Sequence, residues 1–502
     1  MSQIAPDDDD DGLILAAEEC PPEKFEKLHF FSSHDGLIIR KLIAHGPVLV
    51  RGGRGSGKSA LLIEAHRRMR DAKNVFSVYM SLRFLPLLQS DGSEYIGHFC
   101  GLLSNEIQKE LAYRKIECGF STVSDQVTLQ IALSELSSAL NKRIVILFDD
   151  AAHIGREKPL EVFFDLFRTL SSNTTSCKAS IYPGVTRFGT RFDVFNDSTV
   201  VDISRSDVSS GSGYFLEVLK SRYPELAVRD RFSDRLSPEQ FSNLVGRAVV
   251  GNMRGFILAC NHFENLEKIG VPEVSSVLVQ LAETYFWPLM EEVAPKLGVY
   301  EPMIAPAQQI FEAIVESVVK PVKNGQRNVA QDRVTIHRDL VSKYSKIFEI
   351  LEYLGFVSKR EASRSMKSGG RGPVFAINLC SILEQIPSKR LTNEMSEEWI
   401  SGKPELAEIH SSGNVFNSIS LPILEDESAE LGILAKPIEA LAKSLAYPYG
   451  LTTDKINKLK AGGINTVGEL AQADEAQLHA IEGIGVRTIT KISNVVMQAI
   501  WM

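Results

Sequence analysis

The 502-residue sequence contains no apolar run of about 18 residues or more, so no segment reads as a membrane-spanning helix. Its six cysteines (Cys20, Cys100, Cys118, Cys177, Cys260 and Cys380) lie far apart and include no C-x-x-C pair. That spacing argues for buried free thiols in a reducing compartment, against a disulfide framework or a zinc site. The N-terminus carries an acidic run, Asp7 to Asp11, where a signal peptide would be basic. No internal repeat of about 20–50 residues is found. No nuclease, protease or methyltransferase constellation stands out. A net charge of -8 argues against nonspecific coating of nucleic acid by the whole surface, while leaving room for a local basic site. With 44% hydrophobic and 24% charged residues, the composition is that of a soluble globular chain with sizeable cores. These absences lead us to expect a cytoplasmic protein of about three domains with no membrane partner.

What is present is concentrated in Gly52-Gly53-Arg54-Gly55-Ser56-Gly57-Lys58-Ser59, which fits G-x-x-x-x-G-K-[ST] without a mismatch. The glycines let the backbone turn tightly, so that its N–H groups converge on phosphates. Lys58 brings a point charge to the β- and γ-phosphates, and Ser59 offers a hydroxyl to Mg²⁺. A helix starting near Lys58 aims its positive dipole end at the same anion. Pro47-Val48-Leu49-Val50 before it reads as a buried strand, and Ser59 to Ala65 after it as a helix. Residues Gly52 to Ala60 are therefore the expected binding site for ATP, with Mg²⁺ on Ser59.

A second element is Ile144-Val145-Ile146-Leu147-Phe148-Asp149-Asp150, an apolar strand ending in carboxylates. Asp149 is placed to hold Mg²⁺ through water. Asp150 either polarises the attacking water, one methylene short of the usual glutamate, or only orients the site. His153 reads as a structural or coupling residue. Helical and strand patterns alternate from about Leu28 to Ser204, predicting a parallel α/β sheet with strands Val48–Arg51, Phe76–Ser81, Ile144–Phe148, Ser180–Val185 and Thr199–Ile203.

This order of elements resembles AAA+ ATPases, above all the origin-recognition and replication-initiator class, with STAND signalling ATPases as neighbours. The resemblance implies a parallel P-loop NTPase sheet with a helical lid. It also implies a polar sensor after the fourth strand, for which Thr186 is the candidate. An arginine finger would be Arg187 or Arg191; a surface arginine is the other reading of both. In the lid, Gly251-Asn252-Met253-Arg254-Gly255-Phe256 resembles the start of the second sensor helix, with Arg254 reaching the γ-phosphate.

Further on, an amphipathic stretch from Ser345 to Leu354 ends at Gly355 and is followed by a hairpin carrying Lys359, Arg360, Arg364, Lys367 and Arg371. This resembles a winged helix. Residues 301–390 hold 14 Lys and Arg against 9 Asp and Glu, a basic patch in an acidic chain and the footprint of phosphate-backbone binding. Protein docking is the alternative use. The last unit contains Gly483-Ile484-Gly485 and resembles a helix-hairpin-helix domain, similar in plan to the C-terminal domain of the RNA polymerase α chain. Gly483 and Gly485 would let backbone N–H groups approach a DNA phosphate, with Arg487 and Lys491 holding its neighbours. Such domains also serve as protein adaptors.

The expected organisation is an acidic disordered tail (1–27), ATPase core (28–205), helical lid (206–297), winged helix (298–387), linker (388–437) and a small all-α helix-hairpin-helix domain (438–502). The expected activity is slow ATP hydrolysis coupled to duplex DNA binding, with a homo-oligomer and an effector-bearing protein as further partners. A STAND-type switch and a purely structural scaffold are the rival readings.

Overall fold

The computed structural model describes residues 14–82, 92–152, 157–185, 188, 191–203, 213–321, 328–367, 369–401, 406–424, 432–444, 450–473 and 475–501. Its first unit is a five-stranded parallel sheet of β1 (Val48–Arg51), β2 (Val75–Ser81), β3 (Arg143–Ala152), β4 (Thr175–Ile181) and β5 (Thr199–Asp202), in the order β2-β3-β4-β1-β5. Helices Ser33–Ile43 and Lys58–Arg70 cover one face through Ile39, Leu42, Leu61, Leu62 and Met69. Helices Gly92–Tyr113, Gln126–Leu140 and Glu157–Leu170 cover the other, through a cluster that includes Phe99, Phe148, Phe163 and Phe167. With both faces buried, β1 and β3 read as continuous apolar runs over Val48–Val50 and Ile144–Phe148.

The connection leaving β1 runs toward β2, whereas that leaving β4 runs toward β5 on the other side. Between neighbouring β1 and β4 the sheet therefore opens at its C-terminal edge, the place where α/β sheets bind ligands. β4 occupies residues 175–181, earlier than the expected 180–185. Pro183 and Gly184 lie in the turn that follows it. All seven of its residues are buried, including Thr175, Ser176, Lys178 and Ser180, whose polarity conceals the strand in the sequence.

Among the described residues, α-helices Tyr214–Arg222, Pro238–Ala248, Met253–Phe263, Val271–Leu281 and Trp287–Val293 follow, interspersed with shorter helical turns. Next come helix Ile304–Val318, a small hairpin of β6 (Val319–Pro321) and β7 (Asn328–Ala330), and β8 (Arg333–Ile336). Two short helices, Arg338–Lys343 and Ser345–Leu354, lead to the antiparallel pair β9 (Val357–Ser365) and β10 (Arg371–Ile377). This module shares one apolar core with the preceding helices. Phe356 packs on Trp287 at 4.9 Å and on Phe311 at 5.0 Å between ring centroids.

Within the stretch expected as a linker, Leu391, Met395, Trp399, Ala407, Ile409, Phe416 and Ile419 join that core. Helix Asn393–Ser401 buries Met395 and Trp399, and β11 (Ala407–Ile409) pairs in parallel with β8, completing a sheet of order β11-β8-β10-β9. Few apolar residues do this work, which is why the sequence reads as polar. The final residues form a separate small core around Leu459, Val467, Ile484 and Ile492, closed by helix Val486–Trp501. All six cysteines are free thiols, and all but Cys118 are buried. Among the described residues no helix is long and apolar enough to cross a membrane.

Candidate nucleotide site

The glycine-rich loop leaves β1 and enters helix Lys58–Arg70, with Gly55 (φ 75°) and Gly57 (φ 89°) in the left-handed region that side chains avoid. Gly52 N–H donates to the carbonyl of Ile181 at 3.2 Å, tying the loop to β4. Lys58 is buried, and its Nζ donates to the carbonyls of Gly52 (2.9 Å) and Gly53 (3.1 Å) while lying 3.5 Å from the centre of the Tyr182 ring. Burial pushes the Lys58 ammonium down to about 7, against the opposing pull of Asp150 and Asp149. Arg254 adds to the depression, which places its charge near the loop.

Asp149 is fully buried at the end of β3. Its carboxylate accepts from Tyr79 Oη (2.7 Å), Ser180 Oγ (2.6 Å) and the Asp150 N–H (3.0 Å). Asp150 takes a left-handed backbone (φ 52°), its N–H also donates to Ser180 Oγ at 2.9 Å, and its carboxylate accepts from Tyr182 Oη at 3.4 Å. A non-glycine residue held there is strained, and strain of this kind concentrates at functional sites. Burial, followed by the charge of Asp149, raises Tyr79 well above its ordinary value. Burial, followed by the charge of Asp150, does the same to Tyr182.

Two other parts of the chain hold the loop. From the lid, Met253 N–H donates to the carbonyl of Gly55 (2.8 Å) and Asn252 Nδ2 to that of Arg54 (3.1 Å), while Asn252 Oδ1 caps the helix start by accepting from Gly255 N–H. From the C-terminal module, the carbonyl of Tyr353 accepts from Arg54 N–H at 2.9 Å. The Tyr353 ring meets Tyr182 edge-on at 5.0 Å, and Lys346 Nζ donates to the carbonyl of Gly184.

Residues 54–60, Asp150, Tyr182 and Arg254 line an open cleft at this edge. The cleft suits a magnesium-bound nucleotide. Buried Arg54 lies on its wall with no hydrogen-bond partner for Nε among the described residues, and Ser59, in the first turn of the helix, lines it together with Asp150.

Of the remaining expected residues, Thr186, Arg187 and His153 lie outside the described residues. Arg191 is exposed and is not part of the cleft wall; its N–H donates to Asp165. Lys359, Arg364, Lys367 and Arg371 are exposed along the β9–β10 hairpin. Arg371 also donates to Ser363 and Ser365, and Arg364 pairs with Glu361 at 3.3 Å. Arg360 instead points back to the lid, donating to the carbonyl of Val250 at 3.4 Å. Gly483 (φ 80°) and Gly485 form the C-terminal hairpin with Ile484 buried beneath and Lys491 exposed; Arg487 starts the following helix. Sequence reasoning missed Tyr79, Ser180 and Tyr182. A hydroxyl near the end of β4 or late in β2 carries no local signal of its carboxylate partner.

No protein-family model and no curated protein matches this chain. Solved structures do. A Walker-type ATPase of Pyrococcus abyssi is 12% identical with a TM-score of 0.42, over 70% of this chain and 94% of that one. Cdc6p from Pyrobaculum aerophilum is 13% identical with a TM-score of 0.33, over 79% and 99%. The ORC1 protein of Aeropyrum pernix, solved in complex with DNA, is 14% identical with a TM-score of 0.31, over 78% and 96%. Likeness at this level assigns neither activity nor ligand. The chain's own strand order, glycine-rich loop and acidic strand end build a P-loop NTPase-like core with a helical lid.

Proposed function

We propose that this chain is an AAA+ type nucleotide switch that binds ATP with Mg²⁺, hydrolyses it slowly and couples its nucleotide state to duplex DNA. The observation that carries this reading is the double tether of the phosphate loop, by Met253 of the lid and by Tyr353 of the C-terminal module. Bound Mg²⁺ would neutralise phosphate charge next to Ser59 and Asp149. For Lys58 to reach a phosphate it must leave the Gly52 and Gly53 carbonyls and the Tyr182 ring. That movement reshapes the loop whose Arg54 N–H holds the module, so nucleotide and module compete for one loop geometry. Asp150 is the water-orienting group in this reading, with Arg254 sensing the γ-phosphate.

Setting aside the small β6–β7 hairpin, we read the order of helix, β8, two helices, β9 and β10 from 304 to 377 as a winged helix. Its helix Ser345–Leu354 buries its apolar side in the core shared by the lid and its own module and sets its C-terminal end against the phosphate loop, so the exposed hairpin cations and the Gly483–Gly485 turn are the surfaces that would meet DNA. The same docking favours a second reading: a STAND-type switch that opens and oligomerises on detecting a ligand.

The test is ATP turnover by wild type and Lys58→Ala, with and without duplex DNA, across a salt titration. Turnover stimulated by DNA, abolished by Lys58→Ala and fading with salt is expected. Tight ATP binding without any DNA stimulation overturns DNA coupling and leaves the ligand-detecting switch.

A further inference from the structure

One wall of the nucleotide cleft comes from a part of the chain that the phosphate-loop motif does not include. Residues Ile14 to Glu18 and Leu28 to Phe31 line the cleft together with Lys58 and Ser59. This N-terminal segment is anchored on both sides. Cys20, Phe25 and Leu28 form a small core with Ile14, Ala17 and Ile63, the last belonging to the helix that follows the loop. From the lid, Arg222 donates to the carbonyl of Ile14. The anchored turn Ala17–Glu19 brings Glu18 to the acidic strand end, where carboxylate oxygens of Glu18, Asp149 and Asp150 all lie within 4.8 Å of one another.

Asp149 and Asp150 are buried, so the repulsion among three such groups is poorly screened and a cation between them relieves it. A separate observation on the same cleft points to the anion that would accompany that cation. Arg54 is only 5% exposed, lines the cleft, and its Nε lacks a hydrogen-bond partner among the described residues. Converging carboxylates next to a buried guanidinium and the Lys58 ammonium match the two charges of a metal-bound polyphosphate.

We propose that Glu18 is a third carboxylate of the divalent-cation site, so that a magnesium–nucleotide complex fastens the N-terminal segment over the cleft. The proposal rests on the nucleotide-binding reading given above. It has a sign that other roles of Glu18 do not share. With the cation present, Glu18 is a ligand. Without it, Glu18 is a like charge facing phosphates.

The experiment is a titration of the full-length chain with a fluorescent ATP analogue, once in Mg²⁺ and once in a chelator. Glu18→Gln should weaken binding about tenfold or more in Mg²⁺, the scale of losing a metal-site group, and tighten it in chelator. Exposed Glu19→Gln, on the same turn, should match wild type in both buffers. Hydrogen exchange of residues 14–31 should slow when Mg²⁺ and analogue are added together, in wild type but not in Glu18→Gln. Weakening of Glu18→Gln in both buffers makes Glu18 a structural clasp and overturns the proposal. Tightening in both makes it an internal competitor of phosphate and overturns it equally. A wild type that binds no analogue in either buffer overturns the nucleotide reading itself.

Discussion

Gly53→Ala probes the contact between the phosphate loop and the C-terminal module. A methyl group at Gly53 would stand 2.7 Å from the carbonyl oxygen of Glu352 and 3.5 Å from that of Tyr353. Gly53 is not among the glycines with positive φ, so the loop itself tolerates alanine. The opposing carbonyls have little freedom to turn aside. They close the last turn of helix Ser345–Leu354, which is capped by Gly355 (φ 83°), whose own carbonyl accepts from Asn378 Nδ2 at 3.0 Å. Relief must come from withdrawing the helix, which breaks the Arg54–Tyr353 bond. Overpacking costs about 1–3 kcal/mol and the hydrogen bond about 0.5–1.5 kcal/mol. A combined loss of roughly 1.5–4.5 kcal/mol shifts the docking equilibrium on the order of 10- to 2000-fold. Hydrogen exchange should therefore rise steeply at Arg54 and across residues 345–357, while the interior of β1 to β4 keeps its wild-type protection. Wild-type exchange at both segments, with an unchanged thermal midpoint, would refute the argument.

Ser180→Ala removes a donor to Asp149 and an acceptor from the Asp150 N–H, and should cost about 1–3 kcal/mol in urea unfolding. Lys178 is fully buried and donates to the carbonyls at the end of helix Ser33–Ile43; burial, aided by the charge of Arg143, pushes it down to about 7. Below that pH it is charged in both folded and unfolded states. Above it the unfolded chain retains a proton that the folded chain has released, so stability rises by up to about 1.4 kcal/mol per pH unit. Lys178→Met should remove that increment, measured as the difference between wild-type and variant unfolding energies above and below pH 7. Gly101 lies within helix Gly92–Tyr113 with nothing within 4 Å of an added methyl, so Gly101→Ala should stabilise by about 0.5–1 kcal/mol in the same assay.

The phosphate loop and its flanking strand are legible in the sequence because their chemistry is local: glycines at fixed spacing, then Lys58 and Ser59. β3 is legible for a similar reason, an apolar run closed by two aspartates. β4 is concealed because its polar residues have partners far along the chain: Lys178 caps a helix near Ala44, and Ser180 holds Asp149. No periodicity records such pairings. The same distance hides Tyr79 and Tyr182, and it hides Glu18, which reaches the acidic strand end from more than a hundred residues away. The docking of helix Ser345–Leu354 is out of reach for a further reason. Its apolar stripe announces burial, yet nothing in it records that the helix's last carbonyls also face the glycine-rich loop.

The parallel pairing of β11 with β8 sets the order in which the chain can mature on the ribosome. β8, β9 and β10 emerge together, yet β8 keeps one edge unpaired until Ala407–Ile409 arrives. During that interval the nascent module offers an open strand to any neighbouring chain. A polypeptide cut near Arg390 would make that transient state permanent. We expect such a fragment to aggregate, whereas one ending beyond Phe416 should close its sheet and stay in solution.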